Sequence, residues 1–330
     1  MCVSMKVLLT GALSTLGRRV TTRLATHGIR VQPSAGMPTI EEVEGVDCVV
    51  HLLAGDHDAL ATRESGPSTG LQDLLGALSK AGVDRLVLLS SAMVYGAWPN
   101  NPVPLTEESP LRPDASFGFA RQLAQVEEAA DAWRCEDRSR QVAVLRPVLS
   151  MAADNESSVV RALAAGMGHR FAEEDAPGQF LHLDDLAQAV EIAVREHLDG
   201  VFNVAPDGWV SAERVRALAG QGLRLRVPDR ISDLIANLSW RFQRGPLPPG
   251  LVPYVRHPWL VSNDRIKQAG WNPTVTNEQT YVEGTESKWW TMLTPKRKQE
   301  LALGGMVGVL LLVTISTVRA VRRNRRLSAG

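Results

Sequence analysis

Short apolar runs alternate with amphipathic stretches over the first half of the chain. The runs predict strands at residues 5–10, 29–32, 47–53, 85–90 and 141–146, and leucine-type residues at steps of three or four predict helices at 16–26, 71–81 and 119–134. Strands that alternate with helices form a parallel sheet covered on both faces. The pattern therefore predicts an α/β domain over residues 1–150.

The second half of the chain is less regular. Strand, helix and strand patterns at 179–183, 184–196 and 201–204 predict a smaller α/β lobe over residues 151–287, interleaved with the first domain. Residues 244–258 are rich in proline and glycine, and we expect them to form a loop-rich cap over a cleft.

An uncharged stretch, residues 301–318, lies near the end of the chain. Its length is near the lower limit for a membrane-spanning helix, and the tryptophans at 289 and 290 before it and the arginines after it are typical of an anchored segment. It predicts a C-terminal hydrophobic helix in a membrane, between a basic linker at 288–300 and a basic tail at 319–330. A buried C-terminal helix and a helix lying in the membrane interface are the alternatives.

Charge is distributed unevenly, although the chain has 36 basic and 36 acidic residues. Residues 288–330 carry a net charge of +8, so residues 1–287 carry −8. A body with an excess of acidic residues does not favour phosphate contacts, and we expect no nucleic-acid partner.

The first predicted strand begins almost at the first residue, which leaves no room for a signal peptide and predicts a globular domain in the cytoplasm. The three cysteines, Cys2, Cys48 and Cys135, are far apart and have no histidine at metal-ligand spacing. We therefore expect no metal site.

A glycine-rich turn, Thr10–Gly17, joins the first predicted strand to the first predicted helix. In such a turn, backbone N–H groups and the helix N-terminus can meet a pyrophosphate. The turn resembles the TGxxGxxG fingerprint of the extended short-chain dehydrogenase/reductase family, in particular its NAD-dependent epimerase/dehydratase group. Further segments resemble this family in order and spacing: HLLA at 51–54, LSSAMVYG at 89–96, RP at 146–147, FLHLDDLA at 180–187, FNVA at 202–205 and AGWNP at 269–273.

This resemblance implies a Rossmann-like doubly wound sheet, with residues 151–287 as a substrate-type lobe, and NAD or NADP as the cofactor. A nucleotide or nucleotide-sugar ligand and a homodimer are the partners that it implies. Cofactor contacts are implied at Gly11, Ser14, Leu16, Gly17, Leu53, Ala54 and Arg121.

Departures from the family pattern predict that dinucleotide binding is weakened or absent. Ser14 replaces the middle glycine, and we expect its Cβ to narrow the approach to the pyrophosphate and to strain the backbone. No acidic residue follows the second strand until Glu41, and Arg30 could either favour a 2′-phosphate or be solvated. The 18 residues between Gly28 and Asp47 are too few for a βαβ unit of about 30, which predicts a missing edge strand and adenine-pocket wall.

Phe117 and Arg121 occupy the positions that resemble the family's catalytic Tyr-x-x-x-Lys pair. A free tyrosine has a pKa of about 10, so the family's lysine is needed to make it a proton shuttle at neutral pH. Phe117 has no exchangeable proton, and Arg121 is no base. Ser91 matches the family's serine, whereas Pro67 falls where the family has asparagine. None of the three tyrosines has a lysine four residues later.

Other polar residues could take over proton transfer or be structural. Tyr95, His182, Asp184 and Asp185 resemble family residues near the cleft, and His57 could face a ligand or belong to a solvated loop. Ser90 and Ser91 could instead cap the end of a strand. Solvated loops are predicted at Glu107, Glu108 and residues 173–175.

The sequence predicts a membrane-anchored, epimerase/dehydratase-like protein that is catalytically degenerate and acts by nucleotide or nucleotide-sugar binding, sensing or scaffolding. One alternative is an active NAD(P)-dependent oxidoreductase or nucleotide-sugar epimerase with a non-standard proton donor. Another is a structural subunit of a membrane complex.

Overall fold

A six-stranded parallel sheet forms the centre of the fold. The computed structural model describes residues 5–34, 36–52, 67–115, 117–154, 160, 163–164, 167, 176–218 and 249–285. The strands are β1 (Lys6–Thr10), β2 (Arg30–Ser34), β3 (Cys48–Leu52), β4 (Arg85–Leu89), β5 (Gln141–Pro147), β6 (Leu149–Met151), β7 (Phe180–His182) and β8 (Gly200–Val204). The sheet order is β2-β1-β3-β4-β5-β8, and β6 and β7 form a separate parallel pair. The predicted α/β fold with a parallel sheet is confirmed.

Two pairs of long helices pack beside the sheet: α1 lies against α5, and α3 against α4. The helices are α1 (Thr15–Thr26), α2 (Ile40–Val43), α3 (Pro67–Ala81), α4 (Gly118–Glu136), α5 (Leu183–Arg195), α6 (Ala212–Leu218), α7 (Val252–Arg256), α8 (Asp264–Gln268) and α9 (Asn277–Gly284). Helix α3 begins four residues before the predicted start because Pro67, whose φ angle suits a first helical position, opens it.

The described chain between β2 and β3 holds one short helix, α2, and β2 is the edge strand beside β1. This agrees with the missing edge strand that the spacing predicted. Strand β2 extends two residues beyond its predicted end, through Pro33. An edge strand tolerates proline because one side of its backbone has no strand partner.

Buried polar contacts hold the last segment of the smaller lobe on α5, the helix that packs beside α1 and the sheet. The carboxylate of Asp185, which is fully buried on α5, accepts hydrogen bonds from the backbone N–H groups of Thr274 and Val275, each at 3.0 Å. The indole of Trp271 donates to the Asp185 carbonyl oxygen at 2.9 Å. Each of these bonds joins the segment before α9 to the start of α5.

The predicted loop-rich cap at 244–258 was wrong for its described part. Residues 249–251 form a 3-10 turn, and Val252–Arg256 form α7. Tyr254 is fully buried and anchors this helix in the core. Burial of an aromatic side chain therefore outweighs the local bias of proline and glycine toward loops.

The predicted membrane segment at 301–318 lies outside the described residues. Within the part of the chain that the structure describes, no helix combines the length and the apolar character needed to cross a membrane.

Candidate active site

The glycine loop, residues 10–17, connects β1 to α1 at the carboxyl edge of the sheet. Gly11 has a φ of +69°, and a Cβ there would lie 3.1 Å from the Leu52 carbonyl oxygen. A Cβ at Gly17 would collide with the Gly11 carbonyl oxygen. Both positions therefore require glycine, and the backbone passes closely over the end of β3.

Ser14 is the N-cap of α1, and the expected backbone strain at this residue was wrong. Its φ of −66° and ψ of 163° are ordinary extended values. Its Oγ accepts a hydrogen bond from the Gly17 N–H at 2.9 Å and donates to the Gly11 carbonyl at 2.8 Å. Serine is among the preferred N-cap residues because its oxygen satisfies one of the unpaired N–H groups of the first turn. Ser14 therefore stabilises the loop.

An anion site remains at the start of α1. The N–H groups of Thr15 and Leu16 donate to no acceptor in the described part of the chain, and the first turn contains no acidic residue. Free N–H groups and the helix dipole together attract a phosphate. The loop thus fits the pyrophosphate of a dinucleotide; the implied contacts at Leu53 and Ala54 lie outside the described residues.

Of the two roles predicted for Arg30, the structure fits a solvated arginine and not a contact with a 2′-phosphate. It begins β2, where its N–H donates to the Met5 carbonyl at 2.8 Å. A five-residue strand is about 13 Å long from its first to its last Cα. Arg30 therefore lies at the amino end of the strands, whereas the glycine loop lies at their carboxyl end. Ser34 instead ends β2 beside Thr10.

Buried His51 lies next to the glycine loop at the end of β3. Its Nδ1 is 2.8 Å from the hydroxyl of Thr10, and its Nε2 has no hydrogen-bond partner in the described part of the chain. Burial lowers the pKa of His51 to about 4, so the ring is neutral at physiological pH. The predicted candidate His57 lies outside the described residues.

The catalytic corner, Ser91, Phe117, Arg121 and Tyr254, lies where α4 and α7 meet the end of β4. Ser91 caps the 3-10 turn Ala92–Tyr95, because its Oγ accepts from the Met93 N–H at 3.2 Å. Phe117 precedes α4 and is 6% exposed, with its ring centroid 5.6 Å from that of Tyr254. A Cβ on Gly250 would come within 2.9 Å of the Phe117 ring. Aromatic packing therefore surrounds the side chain at the tyrosine position.

Arg121 is exposed one turn along α4. It lines an open groove of about 620 Å³ beside α4, together with Leu111 and Pro113. No hydrogen bond or ion pair involves its guanidinium within the described residues.

All three tyrosines are buried, and burial raises the pKa of each. Burial raises the pKa of Tyr95 to about 12 against the opposing effect of Arg146, and burial raises the pKa of Tyr281 to about 12. Burial, reinforced by Asp114, holds the pKa of Tyr254 far above its ordinary value. The Tyr254 hydroxyl donates to the Met93 carbonyl at 2.7 Å.

A buried ion pair behind the corner was not predicted from the sequence. Arg146 on β5 donates to both carboxylate oxygens of Glu127 on α4, at 2.6 to 3.2 Å, and both residues are 5% exposed. Arg146 also donates to the Tyr95 hydroxyl at 2.6 Å, and Ser90 donates to Glu127. The RP turn at 146–147 was visible as a motif, but nothing in the sequence pairs its arginine with Glu127.

The remaining candidates have structural contacts. The His182 ring accepts from the Asp184 N–H at 3.2 Å and so caps α5. Asp184 pairs with Arg19 on α1 at 2.7 Å. Glu107, predicted in a solvated loop, is half-buried; its carboxylate accepts from the Asn203 N–H at 2.9 Å, and burial raises its pKa. Glu108 is exposed, as predicted, and residues 173–175 lie outside the described residues.

The described residues contain no group of three or more histidine, cysteine or acidic side chains that could hold a metal ion.

Residues 32–205 match the model of the NAD dependent epimerase/dehydratase family. An uncharacterised protein of Mycobacterium tuberculosis is 30% identical over 257 residues, which cover 67% of each chain. The UDP-glucose 4-epimerase of Thermus thermophilus, solved with NAD, superposes with a TM-score of 0.63 at 17% identity, over 85% of this chain and 97% of that one. RMD of Pseudomonas aeruginosa, solved with NADPH, superposes with a TM-score of 0.60 at 18% identity, over 85% and 97%. At these identities, the two structures support the fold alone.

Proposed function

Since the chain belongs to the NAD-dependent epimerase/dehydratase family, we propose that it is a catalytically degenerate member that binds a dinucleotide and a nucleotide sugar without interconverting sugars. The observation that carries this proposal is that the glycine loop keeps Gly11, Gly17 and its free N–H groups, whereas Phe117 fills the predicted tyrosine position. The ligand class rests on the structural neighbours, a UDP-glucose 4-epimerase with NAD and a protein with NADPH.

The glycine loop supplies the binding half of the function. The N–H groups of Thr15 and Leu16 would donate to the pyrophosphate, and Gly17 lets the helix start close to the loop. A bound dinucleotide supplies hydride transfer at its nicotinamide. Ser91 Oγ accepts from Met93, so its own proton is left to hydrogen-bond a substrate oxygen.

The proposed protein lacks a side chain for the proton transfer that sugar interconversion requires. Phe117 offers no proton, and the neighbouring Tyr254 hydroxyl is buried and already donates to Met93. The raised pKa of Tyr254 keeps this hydroxyl protonated at neutral pH. Loss of general acid–base catalysis lowers rates by about 10²–10⁴, which is why we expect binding without turnover.

Calorimetry on the full chain with NAD, NADP and UDP-glucose tests the binding half, and a coupled assay for UDP-galactose formation tests the catalytic half. We expect dinucleotide binding, its loss in Gly17→Ala, and no turnover by either protein. Gly76→Ala is the matched control, because a Cβ there meets open space on α3. Turnover of UDP-glucose by the unaltered chain, or the absence of dinucleotide binding, would refute the proposal.

We further propose that residues 301–318 anchor this binding module to a membrane, with residues 1–287 on the cytoplasmic side. The support is the uncharged stretch and its flanking tryptophans and arginines. In cells fractionated by ultracentrifugation, we expect the chain in the membrane pellet and a version ending at residue 287 in the supernatant. Equal partition of both versions would contradict the anchor.

A further inference from the structure

We propose that the adenosine end of the binding site selects NADP(H) over NAD(H), and that Arg18 is the residue that reads the 2′-phosphate. This inference rests on the proposed function, because it names which dinucleotide the glycine loop takes. Its evidence is the charge and position of side chains at the carboxyl end of β1 and β2.

The first step concerns the acidic residue that would bind a free ribose 2′-hydroxyl. In dinucleotide-binding folds, an Asp or Glu after the second strand hydrogen-bonds the 2′-hydroxyl of NAD and repels a phosphate there. Here the strand ends in Ser34, the next three residues are uncharged, and Ser34 lies beside Thr10 of the glycine loop. Of the nearest acids, Glu42 is held by the Thr39 N–H at 2.9 Å in the capping box of α2, and Glu41 is exposed on the same helix.

The second step concerns the position of Arg18. Its Nη1 donates to the Leu13 carbonyl at 2.6 Å, which holds the guanidinium against the tip of the glycine loop. No ion pair of Arg18 occurs within the described ranges, and the side chain is exposed. The guanidinium therefore has further N–H donors directed at no acidic partner, and a phosphate can accept them in a forked geometry.

The third step compares the directions in which Arg18 and its neighbour Arg19 project from α1. Arg19 pairs with Asp154 at 2.8 Å and with Asp184 at 2.7 Å, on the side of α1 that packs against α5. Consecutive residues on a helix project about 100° apart, so Arg18 points away from the ion pairs of Arg19, although its charge also helps to lower the pKa of Asp154. Gly17, Val20 and Leu24 are the residues of α1 that face the core. The side of α1 that carries Arg18 therefore faces β2, the edge strand of the sheet.

Fluorescence titration of the full chain with NADPH and NADH tests the inference, and calorimetry with 2′,5′-ADP and 5′-ADP isolates the 2′-phosphate. We expect NADPH to bind about tenfold or more tightly than NADH, since a hydrogen bond to a charged group typically contributes at least that ratio. Arg18→Gln should remove the preference by weakening NADPH and 2′,5′-ADP while leaving NADH and 5′-ADP unchanged. Arg18→Lys should keep part of it.

Arg30→Gln is the matched control, because it removes an exposed arginine from the opposite end of β2 and should leave both affinities unchanged. Equal weakening of NADPH and NADH in Arg18→Gln would mean that Arg18 binds the pyrophosphate, and would overturn the inference. Tighter binding of NADH by the unaltered chain would overturn it while leaving the proposed function standing. No binding of either dinucleotide would overturn both.

Discussion

The glycine loop and the catalytic corner have both lost residues of the family pattern, with opposite structural consequences. In the loop, Ser14 replaces a glycine, yet the N–H groups of Thr15 and Leu16 remain free and the backbone is unstrained. In the corner, Phe117 lies at the predicted tyrosine position and packs against Tyr254. Binding through backbone groups would survive such a change of side chain, whereas proton transfer, which depends on one specific side-chain atom, would not.

The two regions also differ in what stabilises them. The loop depends on short-range backbone geometry, with Gly11 at positive φ and Ser14 capping α1. The corner is supported from behind by the buried pair of Arg146 and Glu127. This difference predicts that substitutions behind the corner have large effects on folding and that substitutions at the Ser14 cap have small ones.

Arg146→Ala should give the largest effect. Removing one partner of a buried ion pair leaves the other charge without compensation, and we expect a loss of about 3–5 kcal/mol in the free energy of unfolding, measured by urea denaturation. Arg214→Ala is the control, because its pair with Glu278 is exposed, and it should change stability little.

The double variant Arg146→Met with Glu127→Leu sharpens this result. Replacing both charges by apolar side chains of similar size is often neutral, so the double variant should recover most of the stability that Arg146→Ala loses. A double variant as unstable as Arg146→Ala would show that the pair is not the main source of stability behind the corner.

His51 should make the end of β3 sensitive to acid. Its pKa is about 4 in the folded protein and 6.5 ordinarily, so below pH 6.5 the unfolded chain binds a proton that the folded chain does not. Stability should therefore fall between about pH 6.5 and pH 4, by about 3 kcal/mol in total.

Urea denaturation from pH 7.5 to pH 4 checks the acid effect of His51. His51→Gln, which carries no charge at any pH, should show a shallower loss of stability over this range. Equal slopes for His51→Gln and the unaltered chain would assign the acid sensitivity to other groups.

Much of the fold could be predicted from the sequence because buried parallel strands are continuous apolar runs. The short spacing between Gly28 and Asp47 predicted the missing edge strand, which the order β2-β1-β3 bears out. The helix at Val252–Arg256 could not be predicted, because its stability comes from burying Tyr254 among residues distant in sequence.

In the candidate site, the sequence predicted which residues belong to the glycine loop, but it did not predict the backbone conformation of those residues. The strain expected at Ser14 was wrong because the residue adopts the extended conformation of an N-cap, where glycine has no advantage. The sequence left two roles open for Arg30, because it did not show at which end of the short strand β2 this residue lies. The roles of Ser91, Phe117 and Arg121 stay predictions.

Ser14 should give the smallest effect and the closest test of how the loop works. Ser14→Ala removes the cap oxygen and should lower the free energy of unfolding by about 1 kcal/mol, whereas Ser14→Gly should cost only a few tenths. Ser14→Gly also frees the Gly17 N–H for the pyrophosphate, so dinucleotide affinity should rise slightly in titrations with NADPH. Thr276→Ala removes the equivalent cap of α9, far from the loop in sequence, and should lower stability to a similar extent without changing affinity. If Ser14→Gly instead weakens binding, the serine hydroxyl itself contacts the ligand, and the loop would share the corner's dependence on a single side-chain atom.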